Sequence, residues 1–313
     1  MGSLRCWTDL HCNRFAMPAL YLGWMMSVKK KTAKSGGRRI SRNDMQALRM
    51  AREKLEHPSL AARLTAVVGT PIEEGMKLLP RGWYQRIHGV AEQTFRRILD
   101  SAVATLDTGR KGASRNDLHK ILGMGTGAVG GFFGLPGVLL ELPLTTGIML
   151  RSIADIALAQ GEDLNELDSR LACVEVFAFG GPHEDDDAAE TGYYSLRFAL
   201  AFHFSLISQH LVERGVAKQS LPLMVSLSRG IAARFGVAVS DKIALQMVPL
   251  VGAAGGALLN AVFVQHYQDM ALGHFTVRRL ERVYGAESVR SAYESLDHSA
   301  RPERREAILR AVR

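Results

Sequence analysis

The chain has 313 residues, is 47% hydrophobic and has a mean hydropathy of +0.01, which excludes a disordered polymer and a multi-span transporter and leaves ample length for a core. Its net charge of +8 sits at one end: of 39 Lys and Arg and 31 Asp and Glu, 12 and 4 fall between Met1 and Leu60, leaving 27 of each in the remainder. A neutral body behind a basic arm lacks the basic face of a nucleic-acid binder, so no nucleic-acid partner is expected.

Residues 1–40 read as a flexible, poorly ordered arm. Its basic stretch KKKTAKSGGRRISR, Lys29 to Arg42, suits an anionic membrane surface at roughly 1 kcal/mol per Lys or Arg near the headgroups. It fits a solvated tail equally well. The apolar run Phe15 to Met26 follows Asp9, precedes KKK and has no small-residue cleavage site, so it is not read as a signal peptide. Cys6 stands where a myristoylation signal wants Ser or Thr. With Cys12 and Cys173 it forms neither an even set nor a CxxC, which disfavours a disulfide framework and a zinc ribbon and makes a reducing cytoplasm the default.

From residue 41 to 313 the chain reads as one all-α, helical-bundle-like domain. Amphipathic segments with apolar positions three and four apart are expected at DMQALRMAREKL, from Trp83 to Leu106, at NELDSRLACVEVFAF, at GYYSLRFALAFHFSLISQHLVERG and over the last 30 residues. Gly109 to Gly112, Gly161, the GGPHEDDD run from Gly180, and Gly285 mark the turns between them.

The stretch GMGTGAVGGFFGLPG, residues 123 to 137, satisfies G-x-G-x-x-G at Gly125, Gly127 and Gly130. A dinucleotide fingerprint needs a buried strand before the loop, but the preceding NDLHKI is polar and helical in type, and no Lys-Ser or Lys-Thr follows for a P-loop. No cofactor is therefore expected. Gly123, Gly127 and Gly131 recur every four residues, as do Gly130 and Gly134, so a helix there carries two bare strips on which another helix can lie. A second uncharged run, Ile243 to Gln265, repeats the theme at Gly252, Gly255 and Gly256. These two Gly-rich apolar segments, interrupted by Pro136 and opened by Pro249, fit broken membrane helices and fit close crossings in a soluble core.

These segments carry a family resemblance. GFFGLPG, the Glu141-Leu142-Pro143 step, RSIADIA from Arg151, EVFAFGG, GYYSLR from Gly192, VPLVGAAGGALLN and HFTVRRLERVYG from His274 stand in the order of the EcsC family, which the chain resembles from about residue 42 to about 296. The resemblance implies an α-helical protein at or near the cytoplasmic membrane, with ABC transporter components as a partner class by analogy. It implies no particular reaction.

Glu141 stands between apolar stretches, where an unpaired carboxylate would cost several kcal/mol. It is expected to pair with Arg151, Arg197 or Arg278 inside the helical body, with Asn260 hydrogen-bonding nearby; a Glu at a wet mouth is the alternative. His266, Asp269 and His274 fall on one face if the helix continues through Gly273, and would suit zinc, although no HExxH or Cys pair completes a site. The run His183 to Asp187 reads as an acidic helix start rather than a cation loop. The function expected is a membrane-associated accessory or interaction protein on the cytoplasmic side, its partner a membrane surface or membrane protein. The alternative is a soluble hydrolase or metal-dependent enzyme around His266, Asp269 and His274.

Overall fold

The computed structural model describes residues 39–56, 60–104, 141–180, 192–201, 221–248 and 252–296. They form α1 (Arg42–Glu56), α2 (Leu60–Val68), α3 (Ile72–Leu78), α4 (Trp83–Ala104), α5 (Glu141–Ala159), α6 (Leu167–Phe179), α7 (193–201), α8 (Leu221–Gln246), α9 (Gly252–Tyr284) and α10 (286–296). No strand occurs among the described residues, in accord with the all-α expectation.

Two long helices organise the packing. α8 lies against α2, α3, α4 and α6, while α9 lies against α1, α2, α6 and α8. α1 starts where Ser41 accepts a hydrogen bond from the Asp44 amide (3.1 Å), which satisfies one of the donors a helix start leaves free. The Tyr284 hydroxyl at the end of α9 donates to the same Asp44 carboxylate (2.6 Å), tying the two helix ends together. Gly161 (φ 83°) and Gly285 (φ 89°) close turns in the left-handed region, and Gly285 separates α9 from α10.

α6 departs from the amphipathic expectation. Beyond its first turn, where Asp168 is exposed, every residue from Leu171 to Phe179 is buried, so that part of the helix has no solvent face and its apolar residues need no stripe. Phe177 on α6 meets Phe95 of α4 (5.1 Å between centroids), Phe235 of α8 (5.3 Å) and Tyr267 of α9 (5.3 Å), largely edge to face. Such geometry adds about 0.5–1.5 kcal/mol per pair beyond the burial of the rings.

Among the described residues, helices approach closely at glycines outside the two glycine-rich runs. A Cβ on Gly75 would fall on the Ala244 carbonyl where α3 meets α8, and one on Gly273 would lie 2.8 Å from Leu55 Cγ where α9 meets α1. The proposed strip of Gly123, Gly127, Gly130, Gly131 and Gly134 lies outside the described residues, as do the basic arm through residue 38 and the run His183 to Asp187. Gly252, Gly255 and Gly256 open α9, with Gly256 buried. The second uncharged run is divided, since α8 ends at Gln246 and α9 begins at Gly252. Leu259, Phe263 and Val264 from that run point into the protein core.

Candidate functional site

The buried polar groups form a seam along α9. At its start, Asn260 accepts a hydrogen bond from Lys242 of α8 (Nζ to Oδ1, 2.6 Å), and the same ammonium donates to Glu141 Oε1 at the first turn of α5 (3.1 Å). All three are buried, and the Phe263 ring sits 5.3 Å from the ammonium. Burial pulls the Lys242 amine down from its ordinary value, against the pull of Glu141. Glu141 does not pair with Arg151, Arg197 or Arg278 as expected; instead it pairs with Lys242, which also bonds Asn260. Arg151 is exposed on α5, whereas Arg197 and Arg278 are committed elsewhere.

Further along α9, a string of side chains joins three helices, α6, α7 and α9. Arg197 of α7 grips Glu281 with both terminal nitrogens (2.8 Å each) and reaches the Tyr193 hydroxyl (3.4 Å). Tyr193 in turn stands 2.9 Å from His274 Nδ1. An arginine can only donate, so the tyrosine oxygen accepts from it and has its own hydrogen for Nδ1. That assigns the hydrogen of the imidazole to Nε2, which faces Glu175 Oε2 of α6 at 3.7 Å, beyond direct hydrogen-bond length. Burial, with Arg197 and Arg278 adding to it, holds His274 well below its usual range, so the ring is neutral. Burial likewise pushes Glu175 up to about 8 despite the same two arginines, so it is a carboxylic acid at neutral pH.

The last part of the seam is ionic. Glu162, in the turn before α6, takes Arg278 on both oxygens (2.9 and 3.0 Å), Ser169 at 2.8 Å, and Arg282. Burial would raise this carboxyl, but the contacts with Arg278, Ser169 and Arg282 win and hold it at about 2. Arg278 also reaches Asp168 (2.8 Å).

The three residues considered for zinc do not share a ligand. His266 Nε2 bonds the Gly180 carbonyl (2.8 Å), and its ring, held at about 4 chiefly by burial, stays neutral. Asp269 takes Lys54 (2.7 Å), Arg63 (3.3 Å) and Gln265 (3.1 Å). His274 belongs to the Tyr193 string. Among the described residues no group of three or more His, Cys, Asp or Glu is placed to hold a metal ion.

Sequence reasoning singled out Arg197, Arg278 and Asn260 but missed Lys242, Glu175, Tyr193, Glu162 and Glu281. Glu175, Tyr193 and Glu281 were within reach: they stand in EVFAFGG, GYYSLR and HFTVRRLERVYG, the blocks that carry the family resemblance. The structure brings those three distant blocks into one cluster. The arrangement defines an all-helical protein whose interior polar groups clamp helices to one another. The chain belongs to the EcsC protein family, whose model matches residues 42–280. No curated protein and no solved structure matched the chain.

Proposed function

We propose that the protein is a membrane-associated accessory or interaction protein acting on the cytoplasmic side of the cell membrane. The observation that carries this reading is the connection from α3 to α4, residues 76–86, reading MKLLPRGWYQR. Met76, Leu78 and Tyr84 are exposed within nine residues, and beside them stand Arg81, Arg86 and Lys77, the last paired with exposed Glu74 (2.6 Å). Arg86 lies over the Trp83 ring (5.6 Å), and Arg81 has no ion-pair partner among the described residues. Large apolar side chains with Trp and Tyr between cations suit a bilayer interface, where rings settle at headgroup depth and basic groups meet lipid phosphates. The apolar wedge is short, so the contact is peripheral.

α5 adds modest support. It is long and apolar enough to cross a membrane by length and composition, yet 44% of that window is buried inside the protein. The partner is a membrane surface or a membrane protein, and the family resemblance points to ABC transporter components as the class to test first.

Co-sedimentation of the full chain with anionic vesicles, followed by a high-salt wash, tests the reading. Retention through the wash, lost in Leu78→Ser/Tyr84→Ser, is the expected result. Release by salt would assign the attraction to the basic arm alone, and recovery wholly in the supernatant would refute membrane association.

A further inference from the structure

Between α4, α5 and α6 lies a cavity of about 330 Å³. Its described walls include Ile98, Leu150, Ala154, Leu164 and Val174, and the charged residues among the described lining are Arg97 and Arg170. We propose that this cavity binds a single-chain anionic amphiphile, with the hydrocarbon chain inside and the carboxylate or phosphate head on Arg97.

Volume, polarity and charge each bear on the choice. An apolar cavity of about 150 Å³ stays dry and takes up a benzene-sized guest, so one of twice that size accommodates a medium-length chain. Leu150 and Ala154 lie one helical turn apart on α5, as do Arg170 and Val174 on α6, so each helix presents a continuous strip along the cavity. Cys173 is part of the same wall. Burial pushes its thiol up to about 12, so it stays protonated and adds apolar surface rather than a nucleophile.

The two arginines differ in their commitments. Arg170 donates to the Leu164 carbonyl (2.5 Å) and the Asn165 carbonyl (3.3 Å), which fixes its guanidinium against the loop. Arg97 is exposed, and among the described residues it has no ion-pair partner. A guanidinium at the edge of an apolar cavity with no carboxylate among the described lining residues selects an anionic head over a cationic or neutral one, and its fork fits carboxylate or phosphate oxygens. The site needs no bilayer, so it stands or falls separately from membrane association.

Calorimetric titration of the full chain with decanoate, decyl phosphate and decanol, each below its micelle concentration, tests the proposal. Saturable one-to-one binding of the two anions is expected, with decanol weaker by about tenfold or more, as one charge-assisted contact implies. Arg97→Ala should bring the anions to the level of decanol. Ala154→Phe, which fills the cavity, should abolish binding while circular dichroism stays that of the wild type. The tighter of the two anions identifies the head as carboxylate or phosphate. Absence of saturable anion binding, or decanol matching the anions in the wild type, would overturn the proposal, as would anion binding untouched by filling the cavity. If Ala154→Phe does not fold, the comparison of Arg97→Ala with the wild type decides.

Discussion

The polar seam along α9 and the connection at residues 76–86 use charge in opposite ways. In the seam, Arg278, Arg197 and Lys242 each face a carboxylate of the same chain and are turned inward. In the connection, Lys77 pairs with Glu74 at the surface, whereas Arg81 has no ion-pair partner among the described residues and stands beside exposed apolar groups. A charge matched within the fold holds the fold together, whereas a charge left open beside grease is available to a partner. Substitutions in the first region should cost stability, and substitutions in the second should cost association.

The seam also contains its own contrast. Glu162 and Glu175 have side chains only 3% and 5% exposed, yet Glu162 is held at about 2 and Glu175 rises to about 8. Direct contact makes the difference: arginine nitrogens touch Glu162, while Glu175 faces a neutral imidazole across 3.7 Å. Burial alone drives a carboxyl to its neutral form, and adjacent cations reverse that.

The largest expected effect is therefore at Glu162. Glu162→Ala leaves Arg278 and Arg282 without their shared carboxylate and should cost about 3–5 kcal/mol in a denaturant titration. Gly75→Ala comes next, because its new methyl would meet backbone of α8 rather than a yielding side chain; a loss of about 1–3 kcal/mol is expected, read as a lower thermal midpoint.

Glu175→Gln should act the other way and only at higher pH. The folded pKa of about 8 lies above the ordinary glutamate value of 4.5, so the native state holds a proton that the unfolded chain releases, and stability falls as pH rises between those values. The variant should match the wild type near pH 4 and exceed it by about 1–3 kcal/mol above pH 8, from paired melts at both pH values. Glu162 gives the opposite slope: its stabilisation is present above 4.5 and is lost as pH falls towards 2. The smallest effect is at Arg81. Arg81→Ala should change stability by less than about 0.5 kcal/mol and weaken binding to anionic vesicles, a separation that sharpens the contrast between the regions.

The sequence makes the local features of this fold legible. The apolar spacing of DMQALRMAREKL matches α1, and Gly161 and Gly285 both adopt the positive φ that marks a turn. What escapes is set by crossings between distant segments. Gly75 and Gly273 carry no repeat, and nothing local says that Ala244 and Leu55 will lie against them. Lys242 stands just before an uncharged run and looks like its solvated edge, yet the packing of α8 on α9 buries it with Glu141, 101 positions away. The spacing of α6 also fits a one-sided stripe; only the helices around it show that every side is covered from Leu171 to Phe179. The seam residues of EVFAFGG, GYYSLR and HFTVRRLERVYG were visible as blocks, but their meeting was not.

The most direct test of the division between a structural seam and an outward-facing surface is hydrogen–deuterium exchange of the full chain with and without anionic vesicles. Amides of residues 76–86 should become protected on vesicle addition while those of α6 and the second half of α9 exchange as before. Unchanged exchange at residues 76–86, with altered exchange along α9 instead, would contradict it.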